Sequence, residues 1–284
     1  MQIRAFCDII SVEVLSMLNE YSSGEIYIRH AVDERPDDRD FKMHIHDQCE
    51  IYLFLSGNVD YLVEGSVYPL AENSLMIMSP AEAHRARILQ PERYERYAVN
   101  FPVALFDTID PEGRLLKPFT ERRLGSRNLL SADEINMGTV RNLFSQMCKN
   151  SDDYGKTLTL RTHIFMLADM INRAFFVKSA VESTSQTTAQ KILQYVNAHL
   201  FEDISVSVLA EHFYLSTSQF SRVFKKATGA APWKYITRKR LAAAKEKLRC
   251  GASAQSACES CGFSDYSAFY RAFVKCYGES PTNG

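Results

Sequence analysis

One sequence pattern occurs twice in this chain, and the repeat restricts the fold more than any other feature of the sequence. A shift of 49 residues places seven residues in and around positions 216–229 on identical residues further along. The matched pairs are Ser218 and Ser267, Phe220 and Phe269, Arg222 and Arg271, Phe224 and Phe273, Lys226 and Lys275, Gly229 and Gly278, and Pro232 and Pro281. Seven identities in one register predict a single structural unit that occurs twice.

Each copy of the repeat has the spacing of an amphipathic helix. The apolar stripes at helical spacing are Phe220, Val223, Phe224 and Ala227 in the first copy, and Phe269, Ala272, Phe273 and Cys276 in the second. Gly229 predicts the end of the first helix, and Pro232 predicts the start of the next one. A shorter amphipathic segment and a tight turn precede each copy, at residues 206–215 and 254–263.

The face opposite each apolar stripe carries small polar and cationic residues, with Arg222 and Arg271 at the same outward place. A helix, a tight turn and a second helix with such a face form the helix-turn-helix pattern, in which the second helix enters the major groove of DNA. The alternative is a pair of helical hairpins with solvated basic faces. Two copies in register, each with an outward arginine, favour DNA binding.

The outward faces of these two helices supply the candidate DNA contacts. Arg222 and Arg271 are the first candidates for base contacts, because a guanidinium can donate two hydrogen bonds to guanine. Further candidates for base contacts, near the helix starts, are Ser218, Gln219, Tyr266 and Ser267. The candidates for phosphate contacts, which set the register on the duplex, are Lys225, Lys226 and Lys275.

The net charge of −1 hides an uneven distribution of charge along the chain. From residue 186 onward there are 13 basic and 7 acidic residues, whereas residues 1–185 hold 20 basic and 27 acidic ones. The positive part contains the repeat, and a local positive field attracts the phosphate backbone. The near-neutral total is therefore no argument against nucleic acid.

The last third of the chain resembles the AraC/XylS family of bacterial transcription regulators. The matching segments are LAEHFYLSTSQFSRVFKKATG from Leu209, KYITRKRLAAAKEKL from Lys234 and GFSDYSAFYRAFVKCYGESP from Gly262. The resemblance implies a seven-helix domain with two helix-turn-helix units that read adjacent major grooves of double-stranded DNA. It also implies a homodimer, contact with RNA polymerase and activation of transcription. Tyr214 departs from the family pattern, which usually has glycine in the first turn.

One long helix is predicted between the two copies, at residues 232–249. It would hold the two recognition helices about 34 Å apart, one turn of the duplex. The side chains expected to pack inward are Trp233, Ile236, Leu241 and Leu248. Five of the cations of this helix supply positive charge, and we expect some of them to face phosphates: Arg238, Lys239, Arg240, Lys245 and Lys247.

The amino-terminal half has the pattern of a small β-domain. From residue 24 to about residue 106, short segments with alternating or β-branched residues are separated by turn residues, which predicts a sandwich or a barrel. Residues 41–46 are one of the predicted strands, and Glu64-Gly65 marks a hairpin turn. Residues 11–21 have the composition of a short helix.

Within this β-domain, His44-x-His46-x3-Glu50-x6-Gly57 and Pro80-x3-His84 resemble the cupin motifs. Cupins are small β-barrels that often hold a metal or a small molecule. The period of two along a strand places His44 and His46 on one face, where Glu50 and His84 can join them from neighbouring strands. Three imidazoles and a carboxylate are suitable ligands for a divalent first-row metal.

The second cupin motif is incomplete, because Glu82 and Ile88 stand where cupins usually have glycine and asparagine. Two alternatives to a metal site therefore remain. The four side chains can form a hydrogen-bonded polar cluster, or they can contact an organic effector in a barrel that has room for one small ligand. The family resemblance makes a sugar or a sugar derivative the first guess for that effector.

These patterns predict an α+β multidomain chain. We expect a cupin-like effector domain in residues 1–130, a helical region that forms the dimer in 131–177, a polar linker in 178–188 and the DNA-binding domain in 189–284. Ser131 and Glu134 have capping-box spacing and predict a helix from Ser131, and a second helix is predicted over 156–177. The sequence shows excess apolar surface on this second helix, and the family resemblance implies that this region forms the dimer. The alternative is that both helices simply cover the barrel.

Composition bears on the compartment. No apolar run approaches a membrane span, and the first residues lack a signal-peptide pattern, so the sequence predicts a cytoplasmic protein. Seven cysteines at irregular spacings fit a reducing compartment better than a disulfide framework. Cys258 and Cys261 lack a second pair at zinc-site spacing, and we expect buried free thiols there.

The sequence thus predicts a DNA-binding transcription regulator, not an enzyme, whose barrel senses a small molecule. One alternative is a metal-dependent cupin isomerase or dioxygenase joined to a DNA-binding domain, with His44, His46, Glu50 and His84 as the metal ligands. Another is a barrel that serves only as a scaffold for dimerisation.

Overall fold

A computed structural model describes residues 16–23, 25–149, 153–177 and 187–282. The first part of the chain contains nine strands and three α-helices within those residues: β1 (Ser16–Ser23), β2 (Ile26–Asp33), β3 (Cys49–Ser56), β4 (Val59–Val63), β5 (Ser66–Pro69), β6 (Leu75–Met78), β7 (His84–Ile88), β8 (Tyr94–Phe101), α1 (Lys117–Thr120), β9 (Leu129–Leu130), α2 (Met137–Cys148) and α3 (Asp153–Val177). The second part is helical: α4 (Thr188–Ala198), α5 (Val206–His212), α6 (Thr217–Thr228), α7 (Pro232–Arg249), α8 (Ala254–Ser260) and α9 (Tyr266–Tyr277). The predicted linker lies mostly outside the described residues.

Two antiparallel sheets form the amino-terminal domain. The larger sheet has the order β1-β2-β8-β3-β6-β9, and the smaller one has the order β5-β4-β7. Along β3, Tyr52 and Phe54 face the smaller sheet, while Ile51 and Leu53 face the helices α2 and α3 on the outer side. The predicted β-domain followed by a helical domain with two helix-turn-helix units is confirmed.

Two of the predicted local structures in the β-domain are wrong. Part of the expected helix at residues 11–21 is strand β1, because its backbone pairs along its whole length with β2. Residues 41–46 do not form a regular strand, because only His44 pairs, in a single bridge with His84. The predicted hairpin turn at Glu64-Gly65 joins β4 to β5, and both turn residues have positive φ angles.

The helix expected from Ser131 starts later than predicted. Ser131 and Glu134 do form the expected hydrogen bonds, but within a turn. The helix α2 begins at Met137, because the Asn136 side chain accepts a hydrogen bond from the Thr139 amide and caps it. The prediction for the next helix was three residues short, since α3 starts at Asp153.

The helices α2 and α3 cover the outer face of the larger sheet. The buried residues of α3 are Leu160, Ile164, Leu167, Ala168, Ile171 and Ala174. Its exposed apolar residues are Leu158, Met166, Phe176 and Val177. The helix therefore both covers the barrel and leaves apolar surface uncovered, and its role in a dimer stays a prediction.

Each helix-turn-helix unit has its own apolar core, and α7 contributes to both. On α4, Ile192, Leu193 and Val196 pack inward. The predicted stripes of α6 and α9 also pack inward, except that Cys276 is exposed. On α7, Ile236 belongs to the first core, whereas Leu241 and Leu248 belong to the second. The prediction for Trp233 was wrong: it is 55% exposed, because Pro232 and Tyr235 occupy the inward side of the first turn.

Within the described ranges, no helix combines the length and the apolarity that crossing a membrane requires.

The first turn, between α5 and α6, carries a strained residue. Tyr214 has a φ of 56°, and its side chain is 97% exposed. A residue with a Cβ loses about 1–2 kcal/mol of stability in this left-handed region. Glycine avoids that strain, but it loses about 0.5–1 kcal/mol more in chain entropy on folding, which offsets part of the gain. We expect Tyr214→Gly to raise the free energy of unfolding by about 0.5–1 kcal/mol in urea denaturation. Tyr214→Ala should raise the free energy of unfolding only slightly. If Tyr214→Ala raised it as much as Tyr214→Gly, the exposed ring, and not the φ angle, would be the cause.

Candidate DNA interface and candidate metal-ion cluster

The two recognition helices, α6 and α9, are built alike. Ser216 and Gln219 form a capping box at the start of α6, and the Asp265 side chain accepts two backbone hydrogen bonds at the start of α9. Both helices end at a glycine in the left-handed conformation, Gly229 and Gly278. Equivalent caps at both ends explain why two segments of different sequence give helices of the same length.

The predicted DNA contacts lie mainly on the exposed faces of these helices. The exposed candidates are Ser218, Gln219, Arg222, Lys225 and Lys226 on α6, and Ser267, Arg271 and Lys275 on α9. Tyr266 is half-buried, with its ring 5.9 Å from that of Phe269. The Gln219 side chain already accepts the Ser216 amide hydrogen at 3.0 Å, so a base contact by Gln219 would compete with the cap. Among the described residues, Arg222 and Arg271 have no ion-pair partner.

Two of the five α7 cations that were candidates for phosphate contacts are structural. Lys239 and Arg240 are buried, and Arg240 donates hydrogen bonds to the carbonyl oxygens of Leu200 and Glu202, both at 2.7 Å. The expectation that the α7 cations face phosphates therefore does not extend to these two. The sequence could have indicated this burial. Lys239 lies three positions and Arg240 four positions after Ile236, so they share the helical face that was predicted to pack inward.

The structure brings His44, His46, Glu50 and His84 together at one end of the barrel interior. One ligand atom from each residue lies within 4.8 Å of the others. The backbones of His44 and His84 exchange two hydrogen bonds of 3.1 Å, which place these rings side by side. Glu50 Oε2 lies 3.0 Å from His46 Nε2 and 3.3 Å from His84 Nε2.

Backbone carbonyls set the tautomers of the three imidazoles. The Nδ1 atoms of His44, His46 and His84 lie 3.1, 3.0 and 2.7 Å from the carbonyl oxygens of Lys42, Gln48 and Glu82. A carbonyl oxygen only accepts, so each Nδ1 carries a proton, and Nε2 of each neutral ring is a bare acceptor. The Asn100 side-chain amide donates to Glu50 Oε2 at 3.0 Å and also lies 3.3 Å from His46 Nε2. His84 Nε2 and Glu50 Oε2, 3.3 Å apart, are both acceptors and require a proton or a cation between them.

The charges of Glu50 and His84 depend on each other. Burial opposes ionisation of Glu50, but the facing His84 and His46 outweigh it and hold the pKa of that carboxyl well below its usual value. Burial likewise opposes a charge on His84, and the Glu50 carboxylate outweighs it and raises the pKa of that imidazole. A protonated His84 can therefore balance Glu50 when no cation is bound.

The donor set fits a divalent first-row metal ion. His84 Nε2 is fully buried and has no hydrogen-bond partner of good geometry. Imidazole nitrogens suit such metals, and backbone carbonyls that bind the opposite ring nitrogens orient the ligands. Within the described part of the chain, this is the single group of His, Cys, Asp and Glu residues close enough to hold a metal.

Cys258 and Cys261 are buried free thiols, as expected, and burial raises the pKa of both.

The residues between the cluster ligands pack against the DNA-binding domain. Met43 and Ile45, which alternate with the two histidines of residues 44–46, join the core of the first helix-turn-helix unit. Ala83, which precedes His84, is fully buried in the same core. The two segments that supply three of the four ligands therefore form part of the interdomain interface.

A buried ion pair also joins the two domains. Glu64 and Lys239 are each 2% exposed, and their charged atoms lie 2.5 Å apart. The other Glu64 contacts come from the Tyr235 hydroxyl, from Asn197 Nδ2 at 3.1 Å and from the Ala83 amide at 2.8 Å. Sequence reasoning missed this site, because Glu64 was assigned only to a hairpin turn.

Two family models match the chain. The model of the AraC-like ligand binding domain matches residues 30–168, and that of a helix-turn-helix domain matches residues 209–283. Together they include both candidate sites. The chain belongs to the AraC family of transcriptional regulators. This AraC-family chain therefore has a ligand-binding domain and a DNA-binding domain.

Two sequence relatives, both named as transcriptional regulators, agree with this assignment. The activator RhaS of Escherichia coli O139:H28 is 24% identical over 274 residues, which cover 94% of this chain and 95% of RhaS. The probable regulator LumQ of Photobacterium leiognathi is 42% identical over 90 residues, which span 31% of this chain and 36% of LumQ. Among solved structures, the AraC-like activator CuxR shares 17% identity with a TM-score of 0.40, over 89% of this chain and 84% of CuxR.

Proposed function

We propose that this regulator binds a specific operator by placing α6 and α9 in adjacent major grooves. The observation that carries the proposal is the equivalent placement of Arg222 and Arg271. Both are exposed, neither has an ion-pair partner among the described residues, and each lies on a helix with the same caps. The helix α7 contributes to both units, so their spacing is held by a continuous element of 18 residues.

The test compares Arg222→Ala with Lys226→Ala on the same helix. We expect Arg222→Ala to weaken specific binding by about 1–3 kcal/mol and to relax the preference at one base pair. Lys226→Ala should weaken binding about equally on all sequences and lower the slope of the salt dependence by about 1. Footprinting and binding titrations at fixed salt distinguish the two. An equal loss on every sequence for Arg222→Ala would make Arg222 a phosphate contact.

We further propose that the effector site includes the His44, His46, Glu50 and His84 cluster and that a divalent cation is its best-fitting occupant. The barrel interior beside the cluster is filled by buried side chains, namely Tyr52, Phe54, Tyr61, Met76, Met78 and Tyr94. A cation needs only the converging ligand atoms, whereas a sugar would have to displace some of these side chains. The sugar predicted from the family resemblance is therefore the second candidate for this site.

The interface supplies a route from this site to DNA. A ligand changes an equilibrium only when it binds two arrangements with different affinity. A cation that draws the His44, His46 and His84 rings together would also shift Met43, Ile45 and Ala83, which lie in the core of the first helix-turn-helix unit. We propose that occupancy of the cluster alters how α6 is presented to DNA.

The same ligands could serve a metal-dependent enzyme, and we propose that this chain is not one. The support is that Met43, Ile45 and Ala83, next to the ligands in sequence, are packed into the DNA-binding domain. Operator affinity measured with and without added Zn²⁺ or Mn²⁺ tests this. A cation that binds without any change in operator affinity would favour the enzyme or the scaffold alternative.

We also propose that the regulator is a homodimer that acts in the cytoplasm with RNA polymerase, as an activator. The exposed apolar residues of α3, Leu158, Met166 and Phe176, support the dimer. DNA binding and the family assignment support the other points of this proposal. Light scattering of a Leu158→Ser, Met166→Ser variant tests the dimer, and a mass unchanged from the wild type would exclude this surface.

A further inference from the structure

The turn between α5 and α6 and the turn between α8 and α9 each contain a residue in the left-handed conformation. Tyr214, in the first turn, has a φ of 56°, and Gly262, in the second turn, has a φ of 78°. The Tyr214 amide donates to the Glu211 carbonyl oxygen at 3.0 Å, and the Gly262 amide donates to the Glu259 carbonyl oxygen at 3.1 Å. Glycine is therefore sufficient for this kind of turn in this chain, yet the first unit has tyrosine.

The surroundings of the two turns differ. A Cβ atom on Gly262 would lie 2.7 Å from the Phe201 carbonyl oxygen and 3.0 Å from the Arg240 guanidinium carbon, so the second turn is covered by its own domain. The first turn is open, because the Tyr214 side chain is 97% exposed. Among the described residues, this side chain has neither a hydrogen-bond partner nor a ring partner. No contact within the described chain offsets the strain of this tyrosine, and strain of this kind is typical of binding sites.

Tyr214 lies beside the part of α6 that carries candidate base contacts. It precedes the N-cap residue Ser216 by two positions, and residues 216–219 are all exposed. In a helix-turn-helix unit on DNA, the first helix crosses the backbone and the start of the second helix reaches base edges. The turn between them therefore lies at the edge of the major groove, beside the phosphates of one strand. This placement rests on the proposed function, in which α6 enters the groove.

The chemistry of a tyrosine side chain suits a phosphate at this edge. The phenol hydroxyl can donate a hydrogen bond, and a hydrogen bond to a charged acceptor is about twice as strong as one between neutral groups. The side chain has only two rotatable bonds, so it loses little conformational freedom when it binds. The turn also fixes the direction of the side chain, because the next amide, that of Leu215, donates to the Ala210 carbonyl oxygen at 2.9 Å.

We propose that Tyr214 contacts DNA and positions the first helix-turn-helix unit. Its hydroxyl donates a hydrogen bond to a phosphate oxygen at the edge of the groove that α6 enters. This contact fixes the register of α6 but reads no base, and it adds no positive charge. The first unit thereby has a phosphate contact that Gly262, without a side chain, cannot make in the second unit.

The test measures DNA affinity of the full chain on two duplexes of equal length, one selected by the wild type from a randomised library and one scrambled. Tyr214→Phe removes only the hydroxyl and is expected to weaken binding to both duplexes by about tenfold, the effect of losing a hydrogen bond to a charged group. The slope of the salt dependence should stay at the wild-type value, because tyrosine releases no counterions. Lys226→Ala, in contrast, should lower that slope by about 1.

Two further variants separate the DNA contact from effects on folding. Tyr214→Gly is expected to be more stable than the wild type and still to bind both duplexes about tenfold more weakly, so that a damaged fold cannot explain the loss. Tyr97→Phe is the matched control. It removes a hydroxyl in the barrel, where the Tyr97 ring stacks on that of Phe144 at 5.4 Å, and it should leave DNA affinity unchanged.

Two results would overturn this inference and leave the proposed function standing. In the first, both Tyr214 variants bind like the wild type while Arg222→Ala loses affinity, which would show that the turn does not touch DNA. In the second, Tyr214→Phe loses affinity only for the selected duplex, which would make the hydroxyl a base contact. If Arg222→Ala and Arg271→Ala also leave the affinity for the selected duplex unchanged, the proposed function fails, and this inference fails with it.

Discussion

Replacing Lys239 with methionine is expected to lower the free energy of unfolding by about 3–5 kcal/mol, because it leaves a buried carboxylate without its cation. Glu64 and Lys239 are each 2% exposed, so water cannot replace the lost partner at either atom. The remaining donors to Glu64, from Tyr235, Asn197 and Ala83, are neutral and do not balance its charge.

Urea denaturation measures this change, and Lys247→Met, at an exposed position on the same helix, is the matched control. The double variant Lys239→Met, Glu64→Gln should recover much of the loss, since it removes both charges and keeps an acceptor for the neutral donors. A loss below about 1 kcal/mol would place the pair in the range of solvated ion pairs and contradict its burial.

The second large effect concerns the His44, His46, Glu50 and His84 cluster. Protein purified without a histidine tag is expected to hold close to one divalent metal ion per chain in elemental mass spectrometry. A cation at one hundred times its dissociation constant should raise the free energy of unfolding by about 2.7 kcal/mol. His46→Ala should abolish both the bound metal and the stabilisation, because His46 is one of only four ligands.

His163→Ala is the matched control, because His163 lies on α3 outside the cluster and its Nδ1 bonds the Thr159 carbonyl at 2.7 Å. It should leave the metal content unchanged. If the wild type holds no metal and gains no stability from added Zn²⁺ or Mn²⁺, the cluster is a polar network in which protonated His84 balances Glu50. The organic effector would then become the first hypothesis for this end of the barrel.

Elements with caps of their own could be predicted closely. The bounds of α6 and α9 follow from short-range features, namely a helical apolar stripe, a polar residue at the start and glycine at the end. Where short-range features compete, prediction failed. Ser131 and Glu134 satisfied each other in a turn, while Asn136, five residues on, capped the helix. Residues 16–23 became a strand because β2 was available as a partner.

The sequence by itself determined the family, the double helix-turn-helix and the candidate metal ligands, because each depends on spacing along one segment or on a period of two or 3.6 residues. Only the tertiary structure decided which cations are free. Lys239 is neutralised by Glu64 and Lys245 by Asp47, whereas Lys42 and Lys234 face each other across a cleft without a carboxylate. Such pairings join residues far apart in the chain, and their partners are defined only once the barrel and the DNA-binding domain pack together.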